Sequence, residues 1–454
     1  MLGDAYAEFD SAVHSGRELL RGRVIWNINS TPKGGGVAEM LRSLIAYANG
    51  AGVDTRWLVI QGEPGFFLVT KRIHNRLHGA PGDGGPLGPN ERKIYDQTVA
   101  PNADALAELI SPGDIVILHD PQTAGLCNAL KQTGAVVVWR CHVGLDTPNP
   151  TARGAWDFIR PFLSSADAYV FSRPAFVWDD LADEKIAIIP PSIDAFSPKN
   201  QDMSAEWVDV ILDAAGVIKG AKLNASPTFT RMDGSHGMVV NRAVTTGGSE
   251  IFAGVKIVVQ VSRWDRLKDP LGVMIGFADQ VALVSDAHLV LAGPAVEQIA
   301  DDPEGAEVHE EVQQMWETFD PQIRDRIHLV SLPMEDDEEN AAVVNALQRK
   351  ADVVVQKSLA EGFGLTVAEG MWKSRPVVAS RIGGIQDQIE DRISGLLLDD
   401  PSDREEFGTA VLSLLRNPER AAAMGTAARE RVRAGFLGPR HLMQYLDLFA
   451  RLIG

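Results

Sequence analysis

Cysteine and basic residues are scarce in this sequence. Its 454 residues include two cysteines, Cys127 and Cys141, whose spacing does not fit a metal site, so we expect buried, reduced thiols in a cytoplasmic protein. Lysine and arginine number 43 against 61 aspartates and glutamates, which gives a net charge of -18. Such an acidic chain argues against nucleic acid or an anionic membrane as the main partner, although a local basic pocket can still bind a small anion.

Long hydrophobic runs are also missing. No apolar segment reaches the roughly 20 residues that cross a bilayer, and residues 1–10 lack a basic start followed by an apolar run. We therefore expect neither a membrane helix nor a signal peptide. The 45% hydrophobic content is ordinary for a globular protein, and at about 150 residues per domain the length suggests two or three domains.

Short apolar runs alternate with longer helical patterns in both halves of the chain. The predicted strands cover 24–28, 56–60, 115–118, 136–139 and 168–171, then 256–261, 288–292, 327–331, 351–355 and 376–379. This alternation predicts an α/β protein with two parallel sheets and helices on both faces of each.

The segments outside this alternation have their own patterns. Three prolines in 188–198 predict a connector between domains. Residues 201–252 are less regular: we predict a helix at 202–214 and a surface insertion at 224–250, which is rich in Gly, Ser and Thr. Residues 439–454 read as an amphipathic helix.

A glycine turn follows the first predicted strand directly. Gly34, Gly35 and Gly36 precede a helical pattern, an arrangement that lets the backbone approach an anion at a helix N-terminus. A dinucleotide site would need an acid after the second strand, where Gln61 stands, and the Gly-Lys-Ser/Thr of a nucleotide P-loop is absent. A merely tight turn remains the alternative.

Basic residues cluster in the loop after the strand at 256–261. Arg263 and Lys268 can converge on one diphosphate, and Arg266 adds a third cation. The alternative is a solvated loop in which Asp265 and Asp269 neutralise these cations.

Two acids flank a glycine turn after the strand at 351–355. Seven residues separate Glu361 from Glu369, with glycines at 362 and 364 between them. Carboxylates beside a helix N-terminus suit a polyol next to a phosphate. The alternative for Glu369 is a capping box with Thr366, and for Glu361 an ordinary loop acid.

Polar side chains also follow two strands of the first half. His119 and Asp120 come after 115–118, while Trp139, Arg140 and His142 come at the end of the next strand. Open α/β sheets bind ligands at this edge. A single histidine is more often structural, and the tryptophan either stacks on a sugar or belongs to the core.

Taken together, Gly34–Gly36, Arg263 with Lys268, and Glu361 with Glu369 resemble the donor site of retaining glycosyltransferases of family 4. Within that family the chain is similar to the trehalose synthases through 34–43, 66–71, 119–122, 139–142 and the Glu361 segment. The resemblance implies the GT-B fold: two Rossmann-like domains facing across a cleft, with the C-terminal helix crossing back to the N-terminal domain. It implies an acceptor domain of 1–195 plus 439–454, and a donor domain of 196–438 with an insertion at about 201–252.

The resemblance also implies a reaction and a set of roles. Glucose would pass from a nucleotide diphosphate glucose to free glucose, reversibly and with retention, giving α,α-trehalose. The implied catalytic residues are His142, Arg263, Lys268 and Glu361. Donor binding is implied for Gly34, Gly35, Gly36, Arg263, Lys268, Gly362, Phe363, Gly364, Leu365 and Glu369. Acceptor binding is implied for Asp120, Arg140 and Asp146, and the base would lie against 331–334.

We expect no metal requirement, although Mg²⁺ is compatible with the chemistry. The expected partners are nucleotide-glucose and glucose or trehalose, and a homodimer is compatible with the sequence. Three other functions fit the same motifs: a family-4 transferase with another acceptor or a trehalose phosphorylase, a nucleotide-sugar epimerase of the GT-B fold, and a non-catalytic sugar-nucleotide sensor.

Overall fold

The computed structural model describes residues 6–32, 35–221, 225–252, 254–296 and 303–454. The chain divides into two compact units, Met1–Ser192 with Leu437–Gly454, and Ile193–Phe436. The domain boundaries predicted from the sequence, at 195/196 and 438/439, remain predictions.

The N-terminal unit has six parallel strands with helices between them. Its elements are α1 (Tyr6–Leu19), β1 (Ile25–Asn29), α2 (Gly35–Gly50), β2 (Thr55–Val59), α3 (Pro64–Leu77), α4 (Pro89–Ala107), β3 (Ile115–His119), α5 (Asp120–Thr123), α6 (Cys127–Gln132), β4 (Val136–Cys141), α7 (Pro150–Ile159), β5 (Ala168–Phe171) and β6 (Ile186–Ile188). The sheet order is β2-β1-β3-β4-β5-β6, and every pairing is parallel. Continuous β-branched runs form these strands because both faces of the sheet are covered.

The C-terminal unit has a second, mostly parallel sheet. Its elements are α8 (Ala205–Ala214), β7 (Thr228–Thr230), β8 (His236–Met238), β9 (Val244–Thr246), β10 (Ile257–Val261), α9 (Pro270–Gly276), β11 (His288–Pro294), α10 (Pro303–Glu317), α11 (Pro321–Arg324), β12 (Ile327–Leu332), α12 (Asp337–Lys350), β13 (Val353–Gln356), α13 (Leu365–Trp372), β14 (Val377–Ser380), α14 (Ile385–Gln388), β15 (Leu396–Leu398), α15 (Arg404–Leu415) and α16 (Pro418–Gly435). The order is β15-β14-β13-β10-β11-β12-β9, and β9 alone pairs antiparallel in it. Short 3₁₀ or π turns lie at Ala124–Leu126, Arg160–Phe162, Pro174–Phe176, Asp183–Lys185, Arg266–Lys268 and Phe277–Val281.

The last helix, α17 (Gly438–Ile453), belongs to the N-terminal unit. Its Tyr445, Leu448 and Phe449 join the core on one face of that unit's sheet. Two bonds from Arg440 to the carbonyls of Pro190 and Pro191, 2.8 and 2.9 Å long, fix the start of the helix. The amphipathic pattern therefore predicts this helix correctly.

The segment 201–252 is more ordered than predicted. The helix begins at Ala205, because Ser204 caps it by accepting a bond from the Trp207 N–H. Beyond it, β7 and β8 form a hairpin, and β9 adds an edge strand to the main sheet. Phe229 and Val239 are buried, but Met238, Val240 and Val244 are exposed. The segment therefore contains strands that were not predicted, while most of it lies at the surface, and the insertion itself stays a prediction.

In the part of the chain that the structure describes, no helix combines the length and the apolar character that a membrane crossing requires. Both cysteines are buried and free, as predicted.

Candidate functional site

Strand pairing brings Lys268 and Glu361 together. Lys268 follows β10 and Glu361 follows β13, and these two parallel strands are neighbours in the sheet. The Lys268 Nζ lies 2.5 Å from the Glu361 Oε2, and both side chains are largely buried, at 19% and 12% exposure. A carboxylate and an ammonium group therefore meet beyond the carboxyl ends of the central strands, where open α/β sheets bind ligands.

The other charged groups of the basic loop have separate partners. Arg263 lies 3.3 Å from Asp265 and remains half exposed. Arg266 pairs with Glu311 of α10, and Asp269 contacts Lys357. The alternative, in which acids of the same loop neutralise its cations, is therefore correct for Arg263, which pairs with Asp265. It is wrong for Lys268, whose partner Glu361 lies outside the loop.

Close backbone packing shapes the turn after Glu361. Gly383, at φ +47°, would place a Cβ only 1.8 Å from the Glu361 carbonyl oxygen, so no other residue fits there. The Gly384 N–H donates to the Gly362 carbonyl at 2.9 Å, and the Gln388 amide donates to the Phe363 carbonyl at 2.5 Å. Gly383 and Gly384 therefore support the turn that follows Glu361.

The amide groups of this turn have no hydrogen-bond partners among the described residues. Gly362, Phe363 and Gly364 are buried, and their N–H groups donate to no described residue. Gly364 is the N-cap of α13 with φ +83°, and the half-buried Leu365 starts the helix. Successive free N–H groups at a helix start are a favourable place for an anion or an oxygen-rich ligand.

Glu369 lies inside α13 and is completely buried. Its Oε1 is 3.0 Å from the Lys199 Nζ, and its Oε2 is 3.5 Å from the Gln348 amide. The capping-box alternative is wrong, because Gly364 caps the helix and the Thr366 hydroxyl donates to Gln356. A ribose would reach this carboxylate only after Lys199 moved away.

The first glycine turn lies partly outside the described residues. Gly34 is among those not described, and Gly35 and Gly36 open α2. Its predicted anion contacts remain predictions. The predicted base pocket at 331–334 has two carbonyls already bonded: Leu332 accepts from the Ala295 N–H at 2.8 Å and Pro333 from the Asn340 amide at 2.9 Å.

In the N-terminal unit, Asp120 and His142 meet at the ends of β3 and β4. The Asp120 Oδ1 accepts a 2.7 Å bond from the His142 backbone N–H. Asp120 is held at φ +64°, a strained conformation of the kind that clusters at functional sites. Burial raises the pKa of its carboxyl to about 7.

Two stacked histidines lie beside this carboxylate. The His119 Nδ1 and the His142 Nε2 are 3.1 Å apart, and the His119 Nε2 contacts the Asn27 Oδ1 at 3.1 Å. Burial lowers the pKa of His119 to about 3 and that of His142 well below its usual range. Both rings are therefore neutral at pH 7 and exchange hydrogen bonds as neutral imidazoles.

Arg140 is a buried guanidinium without a hydrogen-bond partner. Arg140 on β4 lies opposite His119 on the neighbouring strand β3, and its side chain has no exposed surface. None of its three guanidinium nitrogens meets an acceptor among the described residues. Burial lowers its pKa, while the nearby Tyr445 and Asp120 raise it. A buried cation without acceptors is costly, and hydroxyl groups of a ligand would satisfy it.

The sequence did not indicate two neighbours of Arg140 on α17. His441 is fully buried, neither of its ring nitrogens has a partner among the described residues, and its ring stacks on Tyr445 with centroids 5.3 Å apart. The only feature of the sequence that could have indicated His441 is its position on the apolar face of the C-terminal helix. A histidine in such a position is also typical of an ordinary core residue.

Two predicted residues lie elsewhere. Asp146 forms a 2.6 Å ion pair with Arg173. Trp139 is fully buried and packs against Trp156 and Phe171, so of the two alternatives left open by the sequence it belongs to the core. Among the described residues, no group of three or more His, Cys, Asp or Glu side chains could hold a metal ion.

A segment of each unit matches a known protein family. Residues 27–178 match the family described as trehalose synthase, N-terminal domain, and residues 247–431 match glycosyl transferases group 1. A trehalose synthase of Rubrobacter xylanophilus is 37% identical over 438 residues, covering 96% of this chain and 92% of that protein. A trehalose phosphorylase of Grifola frondosa is 26% identical and covers 92% of this chain but 56% of its own length.

A solved structure shows the fold. Sucrose-phosphate synthase from Thermosynechococcus elongatus superposes with a TM-score of 0.64 at 20% identity, covering 95% of this chain and 99% of that one. Its likeness, together with the two parallel sheets, confirms the predicted GT-B fold class.

Proposed function

Because the chain belongs to the trehalose synthase family of glycosyltransferases, we propose that it forms α,α-trehalose from a nucleotide diphosphate glucose and free glucose. The transfer is reversible and retains the configuration of the glucosyl carbon. The observation that carries this proposal within the molecule is the contact between Lys268 and Glu361 beside a turn with free N–H groups.

The donor diphosphate is bound by cations and amides. Arg263 and Lys268 neutralise the negative charge that grows on the departing diphosphate, which is stabilisation by fixed charges. In the free protein Lys268 is neutralised by Glu361. When the donor binds, Lys268 turns to the diphosphate, and Glu361 accepts hydrogen bonds from glucosyl hydroxyls. The N–H groups of 362–365 donate to oxygens of the donor.

Glu369 contacts the donor ribose in this proposal, after Lys199 has released it. The present ion pair, at 3.0 Å, then acts as a placeholder for the ribose hydroxyls. This role is supported by the position of Glu369 on the helix that follows the glycine turn. The nucleotide contacts of Gly34–Gly36 belong to the same proposal.

The acceptor glucose binds at the ends of β3 and β4. Arg140 supplies three nitrogens that lack partners, which suits the lone pairs of sugar hydroxyls, and Asp120 accepts from another hydroxyl. His142, as a neutral imidazole, contacts the transferred glucosyl group. Asp146 completes the acceptor contacts by exchanging its bond with Arg173.

Retention proceeds by attack on the same face as the departing diphosphate. In the donor complex Glu361 accepts from glucosyl hydroxyls and Glu369 from ribose hydroxyls, so neither carboxylate is left to act as a nucleophile. These assignments support a route without a covalent glucosyl-enzyme, unlike the paired acids of retaining hydrolases. A donor phosphate oxygen takes the proton of the acceptor hydroxyl. No metal ion is required for this charge balance, because two cationic side chains supply it.

The test is incubation of the full chain with glucose and, in turn, ADP-, UDP- and GDP-glucose, with disaccharide and released nucleotide quantified. We expect disaccharide and nucleotide in equal amounts with at least one donor. Disaccharide formed only from glucose 1-phosphate and glucose would instead identify a phosphorylase. Isomerised donor without any disaccharide would identify an epimerase, and binding without turnover a sensor.

The protein acts in the cytoplasm, a proposal supported by its two buried free cysteines. Its molar mass in solution tests whether it forms a homodimer.

A further inference from the structure

A cavity of about 340 Å³ lies in the C-terminal unit, at the opposite end of the sheet from the donor residues. Its lining includes Lys256, Asp352 and Arg375, which stand just before β10, β13 and β14 respectively. Lys268 and Glu361 follow the other ends of β10 and β13. A five-residue strand is about 16 Å long, so the cavity is separate from the donor site.

Positive charge predominates in the lining. Four cations, Lys256, Arg349, Lys350 and Arg375, face two carboxylates, Asp209 and Asp352. Lys350 and Asp209 neutralise each other at 2.8 Å, and Arg349 lies 3.2 Å from Asp202. Lys256 and Arg375 then remain against the single carboxylate of Asp352. This surplus of cations is unusual for a chain whose net charge is -18.

Two of the cations have only backbone carbonyls as partners. The Lys256 Nζ donates to the Leu415 carbonyl at 3.0 Å, and the Arg375 Nη1 to the Ala351 carbonyl at 3.1 Å. Neither forms an ion pair with any described residue. The Arg375 Nε is buried and has no hydrogen-bond partner in the described chain.

The two guanidinium groups also repel each other. Burial lowers the pKa of Arg349, and the charges of Arg429 and Arg375 lower it further, against the attraction of Asp202. Burial likewise lowers the pKa of Arg375, against the attraction of Asp352. A dianion in the cavity would relieve both effects, since it offers acceptors and negative charge at once.

We propose that this cavity binds the phosphate dianion of a small metabolite, with Arg375 and Lys256 as its principal ligands. The volume lies within the range of small-molecule sites, and an arginine fork with a lysine is a common way to bind phosphate. The inference does not depend on the proposed transferase activity.

The experiment is calorimetric titration of the full chain with inorganic phosphate, glucose 6-phosphate and, as a neutral control, glucose, at constant ionic strength. At least one phosphate-bearing probe should bind. Lys256→Gln and Arg375→Gln should each raise its Kd about tenfold or more, as expected for the loss of a charge-assisted bond. Arg420→Gln, on the exposed side of α16, removes an equal charge and should change Kd less than about twofold.

Comparison of the probes identifies the ligand. Equal affinity for both phosphates would mean that the phosphate group alone is recognised, and tighter binding of glucose 6-phosphate would identify a sugar phosphate. The double variant Arg263→Ala/Lys268→Ala removes the donor cations, and binding should persist in it.

Three results would overturn the proposal: no binding of either phosphate by the wild type, unchanged binding in both glutamine variants, or loss of binding in the donor-cation double variant. Circular dichroism shows whether each variant folds. If Arg375→Gln does not fold, Lys256→Gln decides, because its amine bonds only one carbonyl.

Discussion

Lys268 offers the sharpest test of the donor site, because a neighbouring arginine provides a matched control. Its amine lies 2.5 Å from the Glu361 carboxylate and belongs, in our proposal, to the leaving diphosphate during transfer. Lys268→Met keeps most of the side-chain volume and removes the charge. Loss of one fixed group that stabilises developing charge costs about 2.7–4 kcal/mol in the transition state, so kcat should fall about 100-fold or more.

Stability should change much less than turnover. The pair is 19% and 12% exposed, so water still screens it, and we expect Lys268→Met to lower the free energy of unfolding by only about 1–2 kcal/mol. Chemical denaturation measures this loss, and initial rates of nucleotide release measure kcat.

Arg266→Met is the control. It removes the same charge from the same loop, but Arg266 pairs with Glu311 on α10, and turnover should stay within about twofold of wild type. A wild-type kcat in Lys268→Met, or equal losses in both variants, would refute the assignment of Lys268 to the diphosphate.

Three further predictions concern buried charges. Arg140→Met should raise the free energy of unfolding by about 1–4 kcal/mol, because it removes a buried cation without acceptors, and should raise the KM for glucose; a stability loss with an unchanged KM would contradict the acceptor role. Glu369→Gln should lower the free energy of unfolding by about 3 kcal/mol, since Lys199 loses its counter-charge, and should weaken nucleotide binding; an unchanged nucleotide Kd would reject the ribose contact. Burial lowers the pKa of His119 and His328 to about 3 and that of His142 and His441 well below its usual range, whereas it raises the pKa of the Asp120 carboxyl to about 7. Below about pH 6 the four histidines make the unfolded chain bind more protons and outweigh Asp120, which acts in the opposite direction, so stability should fall as pH drops; a melting temperature that stays constant or rises from about pH 6 to 4.5 would contradict this.

The fold was predictable because its main strands are continuous short apolar runs between longer helical patterns. The strands missed were the three-residue elements β6, β15 and β7 to β9, which are too short for any period to appear. The segment 224–250 looked like an insertion because Gly, Ser and Thr dominate it, yet it forms a hairpin in which Phe229 is buried.

The donor site was predictable where strand ends impose the geometry. Lys268 and Glu361 meet because β10 and β13 are neighbours, a relation that the order of strands in a doubly wound sheet implies. The Lys199–Glu369 ion pair was not predictable, because 170 residues separate its members and no local pattern marks either as a partner. The capping box failed for a local reason: Gly364 starts the helix two residues before Thr366.

In the proposed acceptor site, tertiary packing determines which residues belong to the core and which face the site. Trp139 belongs to the core because alternate residues of β4 point to opposite faces of the sheet, so Arg140 faces the α17 side, where Tyr445 contributes to its electrostatic environment. Sequence alone did not indicate that a C-terminal helix supplies His441 and Tyr445 to this region.

The central claim is tested most directly by NMR of the product formed from a nucleotide-glucose labelled with ¹³C at the anomeric carbon and unlabelled glucose. The account predicts one new labelled anomeric signal, in the α configuration, that belongs to a non-reducing 1,1-linked disaccharide. Label found only in free glucose with no labelled disaccharide, or label in an isomerised sugar nucleotide, in a β-linked product or in a reducing disaccharide, would contradict it.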